Sequence, residues 1–184
     1  MNPIRNYVIL VVAILVVIAA VVFSSRSHST KTTTFALTPY TDKASGISFG
    51  YPRSIFATST KDNFGVIEFM SRGMSVHPPS LSFGILSKAA SSTAELFAYY
   101  TEGELKAIRE SGMVNESKTE TIGAIKGNYI SGQLGEALIY SFVSADKDRG
   151  VVLSIELIAP FDYVATVSTS TIEKMFRDVV GSVR

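Results

Sequence analysis

The segment EALIYSFVSADKDRGVVLSIELI, Glu136 to Ile158, decides the fold. Two apolar runs, Glu136–Ser144 and Val151–Ile158, flank the polar stretch Ala145-Asp146-Lys147-Asp148-Arg149-Gly150. Runs of that length joined by a short polar turn read as a β-hairpin, so the two strands lie antiparallel. Pro160 closes the second run, because proline removes a donor from the ladder.

The same logic extends toward the N-terminus. Ser117–Ile122 and Lys126–Ser131 pair across Gly123 as another hairpin. Earlier strands fall at Ile47–Tyr51, Phe64–Met70 and Leu81–Ile85. In Ile47-Ser48-Phe49-Gly50-Tyr51 the large apolar residues occupy every second position and share one face. Between the strand groups, Ser92-Thr93-Ala94-Glu95 has capping-box spacing. Leu96, Phe97, Tyr100, Leu105 and Ile108 follow at helical spacing, and Gly112 ends the helix. Gly103 and a second box over Thr101–Glu104 predict a kink. After the last strand, Ser170-Thr171-Ile172-Glu173 starts another helix with an apolar stripe of Ile172, Met175, Phe176, Val179 and Val180. Strands, helix, antiparallel meander, helix, with no regular βα alternation, is an α+β arrangement: an antiparallel sheet flanked by helices.

The N-terminus has a different character. Asn6–Ser25, NYVILVVAILVVIAAVVFSS, is uncharged over 20 residues. As a helix it spans about 30 Å, the thickness of a bilayer's hydrocarbon core. A cleaved signal has a shorter apolar region and small residues at its end, whereas bulky Phe23 stands near the only weak cleavage site, Val22-Phe23-Ser24. The reading is one N-terminal transmembrane helix over residues 1–25, retained as an anchor in the lipid bilayer. A polar Ser/Thr-rich tether follows over 26–34, then one domain over 35–184. Arg5 before the span and Arg26 and Lys31 after it give no charge bias. A five-residue leader holds no domain, so the expected orientation is N-terminus cytoplasmic and domain extracytoplasmic.

Composition narrows the function classes. From Phe35 onward there are 14 Lys and Arg against 16 Asp and Glu, with no basic block. The electrostatic footprint of a nucleic-acid binder is missing. The chain has no cysteine, which removes disulfides, thiolate metal sites and cysteine nucleophiles.

Candidate chemistry is sparse. Gly46-Ile47-Ser48-Phe49-Gly50 matches G-x-S-x-G, with Asp62 and His77 following in hydrolase order. A nucleophile elbow needs a strand turning directly into a helix, and this pentapeptide lies inside a strand that runs into Tyr51-Pro52. A serine hydrolase using Ser48 and His77 is the remote alternative. Asp146, Asp148 and Gly150 resemble part of a calcium loop, but Gly150 and Leu157 stand where further oxygen ligands belong, which favours a solvated turn. His28 and His77 are isolated, short of the converging ligands a metal needs. Glu102, Glu104 and Glu110 with Lys106 and Arg109 read as a solvated helix face, with Glu102 and Lys106 spaced as an ion pair. Tyr99 and Tyr100 read as partly buried against the sheet. These readings assign no catalytic, cofactor-binding or metal-ligating residue and no cofactor.

The residues resemble the PsbP-like family of single α/β/α-sandwich domains. Tyr40-Thr41-Asp42-Lys43 leads into Gly46-Ile47-Ser48-Phe49-Gly50-Tyr51-Pro52, similar to the family's opening. The element order and the closing Ile172–Val183 helix with its Gly181-Ser182 end extend the resemblance over about Tyr40 to Arg184. The family opening often continues to a Trp. This chain has none, and Phe56 is the nearest aromatic. The resemblance implies an extracytoplasmic domain without shared catalytic residues, whose relatives mostly bind or support other proteins. The expected function is therefore a non-enzymatic binding or adaptor module on the membrane. Its partner would be another membrane or extracytoplasmic protein. A small-ligand carrier is the alternative.

Overall fold

A computed structural model of the chain describes residues 35–62, 65–72, 77–87 and 92–184. The expected anchor at 6–25 and tether at 26–34 lie outside the described residues. No helix among the described residues is long and apolar enough to cross a membrane.

The Glu136–Ile158 hairpin is the centre of the sheet. In chain order the strands are β1 (Leu37–Thr41), β2 (Ser48–Pro52), β3 (Phe56–Lys61), β4 (Val66–Ser71) and β5 (Ser80–Leu86). Helix α1 (Thr93–Ser111) follows, then β6 (Gly112–Ile122), β7 (Ile125–Leu134), β8 (Ala137–Asp146) and β9 (Val151–Pro160). Two helices, α2 (Phe161–Thr166) and α3 (Thr169–Gly181), close the chain. Strands β3 to β9 form one sheet in the order β3-β4-β5-β9-β8-β7-β6, with every neighbouring pair antiparallel. β1 and β2 form a separate two-stranded sheet. The fold is thus α+β around a large antiparallel sheet.

Side-chain alternation splits the molecule into two layers of different quality. One face of the sheet contributes Ile67, Phe69, Leu81, Phe83, Tyr129, Tyr140, Phe142, Leu153, Ile155 and Leu157 to the main core. The α3 stripe Ile172, Met175, Phe176, Val179 and Val180 is buried there, as its spacing predicts. Ile47 and Phe49 of the β1–β2 unit fill the rest, and Phe49 stacks on Phe83 at 3.9 Å between ring centroids. The C-terminus is sewn to β2: Ser48 and Arg184 exchange both backbone hydrogen bonds, and Ser182 Oγ accepts from the Gly50 N–H at 2.7 Å.

Departures from the sequence reading have local causes. β1 contains Pro39, which suits an edge position opposite Gly50 but hides the strand from a propensity argument. α3 starts two residues earlier than the Ser170 box suggests, because Ser168 Oγ caps the Thr171 N–H. α1 runs unbroken through Gly103 from a true capping box at Ser92 and Glu95.

The resembling opening motif has a structural task. The Asp42 carboxylate, almost fully buried, accepts the Ser45 N–H at 2.9 Å and the Ser45 hydroxyl at 2.8 Å, and pairs with Lys61 Nζ at 2.6 Å. This closes the β1–β2 turn and ties it to β3. Burial pushes the carboxyl up, but the Lys61 ammonium and the Ser45 donors outweigh it and hold it below the ordinary range.

Candidate functional site

The second face of the sheet is covered by α1, and covered poorly. Two small apolar clusters pin the helix. Near its start, Leu96, Phe97 and Tyr100 pack with Val66, Leu86, Val143 and Val152. Near its end, Leu105 and Ile108 pack with Val114, Ile130, Leu134, Ile139 and Ile158. A polar seam separates them. Register places Glu68, Ser82, Glu156, Ser141 and Ile130 in one row across β4, β5, β9, β8 and β7, all on the α1 side. Glu104 of α1 meets Glu156 in this seam, and the two carboxyls hydrogen-bond.

Like-charged groups in a poorly solvated seam cannot both ionise at the ordinary pH. Burial and then the neighbouring Glu104 charge push Glu156 up to about 7, and burial raises Glu104 as well. The two carboxyls therefore share one proton and titrate as a pair. Beside Glu156, the Ser141 hydroxyl is fully buried with no hydrogen-bond partner among the described residues. The other polar link is long, Asn128 Nδ2 donating to Thr101 Oγ1 at 3.4 Å.

Beyond α1 the face is open. The helix packs on β6, β7, β8 and β9, while Glu68, Met70 and Ser80 of the β4–β5 strip are exposed. Met70 is 62% exposed and Tyr99 71%, two large apolar side chains turned to solvent on the α1 side. Tyr99 stands edge-on to half-buried Tyr100, with ring centroids 5.3 Å apart.

The residues singled out from sequence lie apart. Ser48 is on the face of β2 opposite Ile47 and Phe49, and its hydroxyl bonds Thr41 Oγ1 at 2.9 Å. His77 is exposed and lines a cleft of about 460 Å³ with Gln133, Glu136, Phe161 and Asp162, where no serine, threonine or cysteine stands among the described residues. Asp62 Oδ1 accepts the Val66 N–H at 2.8 Å in the turn before β4. Ser48 and His77 thus stand in separate settings, Ser48 against Thr41 and His77 in that cleft. Asp146 caps its own turn, taking the Arg149 N–H at 3.0 Å and the Arg149 guanidinium at 2.8 Å. No cluster of three or more His, Cys, Asp or Glu able to hold a metal occurs among the described residues. On α1, Lys106 pairs with Glu110 at 3.8 Å rather than with Glu102.

Sequence reasoning missed the Glu104–Glu156 pair. Its one visible signal was Glu156 itself, a lone carboxylate inside the apolar run Val151–Ile158.

No family model matches the chain, and no curated protein matches it. Solved structures do. The solution structure of cyanobacterial PsbP (CyanoP) from a Synechocystis species superposes with a TM-score of 0.52 at 14% identity, over 83% of this chain and 94% of that one. The Ran-binding protein Mog1p of Saccharomyces cerevisiae gives 0.56 at 9% identity, over 82% and 96%. A Bacteroides thetaiotaomicron protein gives 0.51 at 11% identity, over 79% of this chain and 47% of that one. Identities this low speak to architecture alone. The chain has the PsbP-like fold that its Gly46–Pro52 opening resembles.

Proposed function

We propose that this chain is a non-enzymatic binding module, held at a membrane by residues 6–25 and a tether over 26–34, with its domain on the extracytoplasmic side. The observation that carries the binding role is the open β4–β5 strip with Met70 and Tyr99 exposed on one side of the sheet. A sheet face left half covered, with large apolar side chains at its margin, suits a protein partner. The fold is compatible with that role, since a protein described as Ran-binding shares it. The membrane placement is supported by the uncharged 20-residue run alone.

In-membrane crosslinking of the full chain tests the reading, with wild type compared against Met70→Glu and Tyr99→Ala. The expected result is one reproducible protein partner whose recovery falls at least fivefold in both variants. Reproducible absence of an enriched partner, or recovery by both variants equal to that of wild type, overturns it. Protease treatment of intact cells checks the orientation separately: full protection of the domain until lysis contradicts an extracytoplasmic location.

A further inference from the structure

We propose that the Glu104–Glu156 pair is a proton-operated latch: with its shared proton in place it holds the middle of α1 on the sheet, and on losing that proton it lets α1 lift. The geometry is that of a latch because the two carboxyls come from opposite elements. One projects from the helix and the other from the central strand β9, in the polar seam between the two apolar clusters that pin α1. A hydrogen bond between two carboxyls exists only while one is protonated. Once both ionise, two like charges face each other where water is scarce, and separating helix from strand relieves them.

Among the described residues no cation sits in the seam to absorb that charge. The faces of β5, β6 and β8 turned to α1 carry no charged side chain. β4 contributes Glu68, exposed and two strands from Glu156 in the same row. β7 contributes Lys126, exposed at the start of the strand. On α1 itself Glu102, Lys106, Arg109 and Glu110 are exposed, and Lys106 pairs with Glu110. Glu156 is perturbed by burial and by Glu104 alone.

The sign follows from linkage. The carboxyl sits at about 7 with α1 docked and relaxes toward its ordinary 4.5 when α1 lifts. The lifted state thus gives up the proton more readily, so raising the pH favours lifting. Between pH 6 and 8 the opening equilibrium should shift about tenfold toward the lifted state.

Hydrogen exchange of the full chain in detergent micelles reads this directly, with rates corrected for the intrinsic pH dependence of exchange. In wild type, protection of the α1 amides should fall about tenfold from pH 6 to pH 8, while β8 and β9 hold theirs. In Glu156→Gln, which keeps the shape and removes the titration, α1 protection should vary less than twofold over the same range. Glu104→Gln is the second variant, retaining burial of Glu156 but not its charged neighbour, and should show a reduced pH response. A flat wild-type profile overturns the latch. So does loss of protection in α1 and β8–β9 together, or a pH response undiminished in the glutamine variants.

Discussion

Removal of the Phe176 ring is the sharpest test of the layer that α3 forms. The side chain is fully buried, with its ring centroid 6.3 Å from that of Tyr129 and 5.9 Å from that of Tyr140. Phe176→Ala loses about 2–3 kcal/mol of apolar transfer. A residual void of about 60–80 Å³ adds about 1.5–2 kcal/mol at about 24 cal/mol per Å³. The expected cost is about 3–5 kcal/mol, which for a domain of this size lowers Tm by about 6–20 °C. The chain has no tryptophan and eight tyrosines, so tyrosine near-UV circular dichroism during urea unfolding is the natural probe. The Tyr129 and Tyr140 environments would report the loss of packing itself. Lys174→Ala, an exposed position on the same helix, controls for helix propensity and should change stability by less than about 0.5 kcal/mol. A Phe176→Ala cost under about 1 kcal/mol would refute the packing, leaving the stripe as an exposed interface.

Two further perturbations test the opening motif and the β6–β7 turn. Asp42→Asn keeps the shape of the carboxylate but removes the charge that Lys61 and Ser45 hold, and should cost roughly 1.5–3 kcal/mol at pH 7. Because the folded-state carboxyl is held below its ordinary value, its contribution is present above the unfolded pKa and disappears as the pH falls through the folded one. The variant and wild type should therefore converge in urea titrations at strongly acid pH, and a constant difference across pH would contradict this. Gly123→Ala puts a Cβ 2.6 Å from the Gly181 carbonyl oxygen at a backbone φ of +61°, and should cost about 1–3 kcal/mol in thermal melts. A neutral outcome would mean that the turn and the end of α3 are not in contact.

What the sequence made legible is what local periodicity controls. The five-residue stripe of α3, the Ser92–Glu95 box and the alternation of Ile47 and Phe49 depend only on spacing, and each appears as read. The β6–β7 hairpin is also local, since Gly123 alone supplies the positive φ of a two-residue loop. β1 and β3 were hidden because edge strands tolerate proline and polar residues that obscure the alternation, as in Leu37–Thr41 and Phe56–Lys61. The Glu104–Glu156 contact was out of reach for another reason. Helical spacing places Glu104 on α1, and strand parity places Glu156 on the face away from the main core. Only the crossing of one over the other brings two carboxyls together, and no periodicity encodes a crossing angle.

The unequal attachment of the two helices bears on where function resides. α3 buries five apolar side chains in the main core, joined there by Val183 from just beyond its end, and the C-terminal residue exchanges hydrogen bonds with β2. α1 has nineteen residues but buries only Leu96, Thr101 and Ile108, and it sets a carboxyl where a leucine would hold it down more firmly. Apolar burial and dispersion dominate docking energy, so α1 is held more weakly than α3. The exposed Met70 and Tyr99 lie on that same side. A partner seated on the open β4–β5 strip would touch the edge of α1, so its affinity would depend on whether α1 is down. If the latch operates, protons and the partner compete or cooperate through one helix, and reciprocity requires that partner binding shift the pH at which α1 lifts. The firm α3 layer lets the fold survive while the weaker layer moves.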